Sequence, residues 1–70
     1  MTIELIVPEM SCQHCVNAIT KEVSGVQGVQ NVKVDLGTKR VSVQTSDAVS
    51  TETIVQAINE AGYDEVTVLN

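Results

Sequence analysis

The chain has 70 residues, with nine acidic side chains against four Lys and Arg, and a formal net charge of −5. That length makes one small domain, residues 1–70, which buries only about 60% of its unfolded surface and so has modest stability. The acidic balance excludes a phosphate-binding nucleic-acid surface, one Tyr without Phe or Trp excludes a stacking platform, and Lys21, Lys33, Lys39 and Arg40 are too few to hold an anionic membrane.

Ile3, Leu5 and Val7 alternate, which predicts a first strand that stops at Pro8. Ser11 is the expected N-cap of a helix. Val16, Ala18, Ile19 and Val23 give that helix its apolar stripe, and Ser24-Gly25 and Gly28 end it. Val32, Val34 and Leu36 alternate with Lys33 and Asp35 as a second strand. Gly37-Thr38-Lys39 reads as a hairpin turn into a third strand through Val41, Val43 and Thr45. Residues 46–50 form a polar connection. Ser50 or Thr51 caps a second helix whose first turn carries Glu52, where the helix dipole favours an acid. Ile54, Val55, Ala57, Ile58 and Ala61 line its buried face, and Gly62 is the expected residue just past its end. Val66 and Val68 alternate in a last strand.

This order makes two β-α-β halves joined by a hairpin. Packed as one four-stranded antiparallel sheet with two helices on one face, it is an α+β, ferredoxin-like βαββαβ sandwich. Met1-Thr2-Ile3-Glu4 lacks a basic leader region, and the apolar run after it stops at Pro8. No segment approaches the ~20 apolar residues of a membrane helix. A soluble, cytoplasmic protein with reduced thiols is therefore expected, with no insertion into a membrane.

The chemistry concentrates in Met10-Ser11-Cys12-Gln13-His14-Cys15, which holds the only two cysteines. The pair falls at the junction of the first strand and the first helix. Unpaired backbone N–H groups and the positive end of the helix dipole favour a thiolate there. A disulfide across so short a span would close almost no loop, so a structural staple is not expected. A bare Cys-x-x-Cys fits a zinc half-site, a redox pair or a metal carrier. Structural zinc takes four ligands, whereas one copy of this chain offers two Cys and His14. A thiol–disulfide oxidoreductase needs a low-pKa attacking thiol in a disulfide-binding fold. A carrier of Cu(I) needs two soft ligands, an exposed site and an incomplete coordination shell. In that case a partner's thiolate can attack the ion before the first pair lets go.

The hexapeptide resembles the M-x-C-x-x-C motif of the heavy-metal-associated domain, found in bacterial copper chaperones of the CopZ type and in N-terminal modules of copper P-type ATPases. The resemblance spans the whole chain and includes Ala61-Gly62-Tyr63, similar to the family's loop beside the site. It implies Cys12 and Cys15 as metal ligands. Met10 would pack inward without binding metal, and Tyr63 would lie in a second shell that shields and tunes the thiolates. His14 is either a solvated loop residue or a third ligand, the latter across a copper-bridged homodimer. Many members carry Gly before the motif methionine, whereas this chain has Glu9 after Pro8. The exchange implies a stiffer or differently shaped loop and an added negative charge near the metal.

The function implied is that of a cytosolic copper chaperone and not an enzyme. It would pass Cu(I) by thiolate exchange to the metal-binding domain of a copper P-type ATPase, and a copper-responsive repressor is a further partner class. The alternatives are an excised N-terminal module of such an ATPase, a small oxidoreductase, and a carrier for Hg(II), Zn(II) or Cd(II). The acidic residues Glu52, Glu60, Asp64 and Glu65 form a solvated face that suits a basic patch on a partner, and Lys21 lies two turns past the motif.

Overall fold

The computed structural model describes residues 1–46 and 49–69. Within them the order is β1 (Thr2–Ile6), α1 (Gln13–Ser24), β2 (Val29–Asp35), β3 (Arg40–Thr45), α2 (Thr51–Glu60) and β4 (Thr67–Val68). The strands form one antiparallel sheet in the order β2-β3-β1-β4. The ferredoxin-like expectation is borne out. Part of the expected 46–50 connection, Asp47 and Ala48, lies outside the described residues.

The alternation read along the strands becomes one buried face. Ile3 and Leu5 of β1, with Val7 just beyond it, and Val41, Val43 and Thr45 of β3 are all buried. They pack with Ile19 and Val23 of α1 and with Ile54, Ala57 and Ile58 of α2. Glu4, Ser42 and Arg40 alternate onto the opposite face, where Arg40 reaches Glu4 at 3.3 Å. That ion pair is solvent-accessible and adds little to stability.

β1 runs one residue ahead of the expected 3–7, β2 ends at Asp35 and not Leu36, and three further boundaries differ from expectation. β2 begins at Val29, not Val32, because Val29 pairs with Thr45 ahead of a register shift that ends at Asn31. α1 is capped at Cys12 and not at Ser11, and no side chain fills that cap. The Cys12 carbonyl already accepts from the amides of Cys15 (3.0 Å) and Val16 (3.3 Å), which fixes where the helix starts. β4 has only two paired residues, which face Leu5 and Ile6. At α2 the expectation holds: Ser50 is the cap and its hydroxyl accepts from the Thr53 amide. Gly62 follows the helix with φ of 107°.

Gly28 has φ of 98°, and a Cβ there would sit 2.5 Å from Cγ2 of Val49. It therefore serves both the backbone angle and the close approach of the Val49 and Ser46 side chains. The β2–β3 hairpin is organised by Asp35, whose Oδ1 accepts from the amides of Gly37 (2.9 Å) and Thr38 (3.3 Å). Lys39 closes the turn with φ of 63°.

Candidate metal centre

β1 ends at Ile6, and Val7 still donates its amide to the Lys39 carbonyl. The chain then turns tightly, with the Met10 amide bonded to the Val7 carbonyl at 3.1 Å. This turn drives Met10 fully into the core and throws Ser11 and Cys12 outward. Glu9 sits outside the left-handed region: among the described residues, Lys39 is the one non-glycine with positive φ. The loop accommodates Glu9 without the backbone cost that a glycine-requiring position would impose.

Cys12 is exposed, Cys15 is half-buried one helical turn later, and both are free thiols. Their sulfurs are 3.8 Å apart. A disulfide needs about 2.05 Å, so the pair is open. Two opposed metal–thiolate bonds of about 2.3 Å span about 4.6 Å, so an ion held by both sulfurs needs only a small outward swing of the exposed Cys12.

The two sulfurs differ electrostatically. The Tyr63 hydroxyl, the main cause, donates to Cys15, and the backbone amides of Ser11 and Cys12 add to it. Together they outweigh desolvation and lower the Cys15 thiol from 9.0 to about 6. The same bond seen from the other side pushes the Tyr63 phenol up to about 12, reinforced by burial and by the charges of Cys15, Cys12 and Glu9. The amides that face the Cys15 sulfur are those of Ser11 and of the cap residue Cys12, just ahead of the first helical residue, Gln13.

Cys12, Cys15 and Tyr63 are thus brought together. His14 is exposed, and among the described residues no group of three His, Cys, Asp or Glu side chains could hold a metal ion. His14 therefore does not join the cysteines within one chain. The Met10 side chain is in the core, while its carbonyl accepts from the Lys39 ammonium.

Two features escaped the sequence reading. Lys39 reaches the site loop from the β2–β3 hairpin. Oε1 of Glu9 accepts from the amides of Asp64 (3.0 Å) and Glu65 (3.1 Å), the two residues after Tyr63. Both contacts are non-local. The one sequence hint for Glu9 was its departure from the glycine common at that position.

Comparison with known proteins gives a consistent picture. The family model for the heavy-metal-associated domain matches residues 4–64. The COP-associated protein of Helicobacter felis is 44% identical over 64 residues, covering 91% of this chain and 97% of that one. The copper chaperone CopZ of Bacillus subtilis is 44% identical over 61 residues, 86% and 88% of the two chains. Copper-transporting ATPase 1 of Rhizobium meliloti is 38% identical over 60 residues, which is 86% of this chain but 7% of the ATPase. Among solved structures, oxidized MerP from Ralstonia metallidurans CH34 superposes with a TM-score of 0.91 at 34% identity, covering 100% and 97%. The Atx1-Cu(I)-Ccc2a complex of yeast proteins matches with a TM-score of 0.85 at 25% identity, covering 99% and 94%.

Proposed function

The chain belongs to the heavy-metal-associated domain family, and from that premise we propose that it carries Cu(I) as cargo between Cys12 and Cys15 and hands it to the metal-binding domain of a copper P-type ATPase. It is a metal-handling protein and not an enzyme. The observation that carries the reading is the sulfur pair: two reduced thiols 3.8 Å apart, one exposed and one held as thiolate near neutral pH. Soft thiolates select Cu(I), and two donors leave the ion open to a third.

The asymmetry sets the order of transfer. An incoming thiolate attacks the bound ion and makes it three-coordinate. Cys12, the exposed sulfur, leaves first. Cys15, backed by Tyr63 and two amides, lets go last. A relative that is a copper-transporting ATPase and a chain of this fold solved within an Atx1-Cu(I)-Ccc2a complex support a partner of this kind. A second copy of this chain or a copper-responsive repressor presents the same kind of third donor, and His14 enters only across such a bridge. The reading places the protein in the cytoplasm. No helix among the described residues is long and apolar enough to cross a membrane.

A second reading, a metal-binding module of a longer ATPase, is favoured by the match to 7% of the Rhizobium meliloti protein, and it uses the same chemistry.

Anaerobic titration with Cu(I) against a competing chelator tests the proposal. Tight, one-to-one binding is expected, and Cys12→Ser and Cys15→Ser should each abolish it while the circular dichroism spectrum stays unchanged. Retention of tight binding by both variants refutes the ligand assignment. Robust turnover in an insulin-reduction assay would move the function to thiol–disulfide exchange.

A further inference from the structure

We propose that Glu9 is a positioning residue: its carboxylate ties the 63–65 loop to the cysteine loop and so holds Tyr63 against Cys15. One oxygen, Oε1, accepts two consecutive amides, from Asp64 at 3.0 Å and Glu65 at 3.1 Å, across 55 and 56 residues of sequence. These bonds to a carboxylate are charge-assisted and stronger than neutral ones.

The rest of the loop explains why a tether is needed. On the α2 side, Tyr63 is held by its amide to the Ile58 carbonyl (3.3 Å) and by its carbonyl from the Asn59 side chain (2.6 Å). Those bonds fix where the loop leaves the helix, not how it faces the thiols. β4 cannot do so, since its pairing begins only at Thr67. Glu9 lies three residues before Cys12, so its two bonds close a ring that runs from Glu9 through the cysteine loop to Cys15, across to Tyr63, and back through Asp64.

The test uses reduced, metal-free protein, so that it stands apart from the copper reading on which only its last arm rests. Glu9→Ala and Glu9→Gly should speed amide hydrogen exchange at Asp64 and Glu65 by at least about tenfold, the loss expected for one hydrogen bond to a charged acceptor. They should slow alkylation of Cys15 by iodoacetamide at pH 7 as much as Tyr63→Phe does, with Cys12 read separately by peptide mass spectrometry. Emission from Tyr63, the only Tyr in a chain without Trp, should change with the same variants. Glu9→Gln keeps an oxygen acceptor and should restore most of each value. Glu9→Ala combined with Tyr63→Phe should alkylate no more slowly than Tyr63→Phe alone.

Unchanged exchange and alkylation in Glu9→Ala overturn the proposal. So does additivity in the double variant, and so does a Glu9→Gln protein as impaired as Glu9→Ala, since an oxygen acceptor at that place then does nothing to hold the loop. In the copper arm, Glu9→Ala and Tyr63→Phe should weaken Cu(I) binding by the same factor. If the unaltered protein takes up no Cu(I), the carrier reading fails, while the metal-free measurements still decide the role of Glu9.

Discussion

The chemistry of the site rests on one sulfur atom made unlike its neighbour. Cys15 has a phenol and two amides directed at it and sits at about 6 in place of 9.0, whereas Cys12 stands in solvent as the helix cap. A thiol whose folded value is depressed contributes stability that is complete above its unfolded value of 9.0 and is lost as pH falls through about 6. Cysteine alkylation followed against pH should therefore inflect near 6 for Cys15. In Tyr63→Phe the inflection should move upward toward 9.0, because the largest of the lowering contacts is gone. Cu(I) affinity at pH 7 should fall by about tenfold or less, the low end for an outer partner of a metal ligand, as read by chelator competition. An inflection that stays near 6 would show that the amides alone suffice. The cysteine pair was legible at once from its spacing and place in the chain. Tyr63 was legible only through family resemblance, since nothing in the local sequence brings residue 63 to residue 15. Glu9 and Lys39 were not legible as partners, because their contacts depend on how three separate loops converge.

At the level of elements, alternation and helical spacing revealed all six pieces in order, because each buries one face and the sequence must show it. The ends were harder. Ser11 reads as a cap by residue type, yet the turn after Val7 delivers the chain one residue later, and Cys12 takes the position. β4 pairs one residue later than the Val66–Val68 alternation implies: Thr67 and Val68 face Ile6 and Leu5, and the Leu69 amide donates to the Glu4 carbonyl at 2.8 Å. The two left-handed glycines separate backbone cost from crowding. Gly62→Ala meets only the angle, with nothing within 4 Å of the new methyl, and should cost about 1–2 kcal/mol. Gly28→Ala meets both the angle and the Val49 methyl at 2.5 Å and should cost more, about 2–4 kcal/mol. Urea unfolding of the two variants checks the order, and an equal loss would mean that the Val49 side chain gives way freely. Ser50→Ala removes a filled cap and should cost about 1 kcal/mol in the same assay.

On the scale of the molecule, a chain of this length has only about 4–10 kcal/mol of net stability to lose. Ile58, fully buried between helix and sheet, accounts for a large share: Ile58→Ala should cost about 2–5 kcal/mol and lower the urea midpoint accordingly. Bound Cu(I) at about a thousand times its dissociation constant should return about 4 kcal/mol, so the same variant should regain its melting temperature when loaded. No recovery would mean that the damage reaches the site. The body and the mouth of the molecule are held by different forces. The body is aliphatic contact. The mouth is drawn shut by two ionic laces, the Lys39 ammonium on the Met10 carbonyl and the Glu9 carboxylate on the amides of residues 64 and 65. Concentrated electrolyte weakens exposed ionic contacts and leaves apolar packing intact, so brine should slacken the exposed Glu9 lace beside the sulfurs more than the part-buried Lys39 one, while the sheet and its two helices keep their shape.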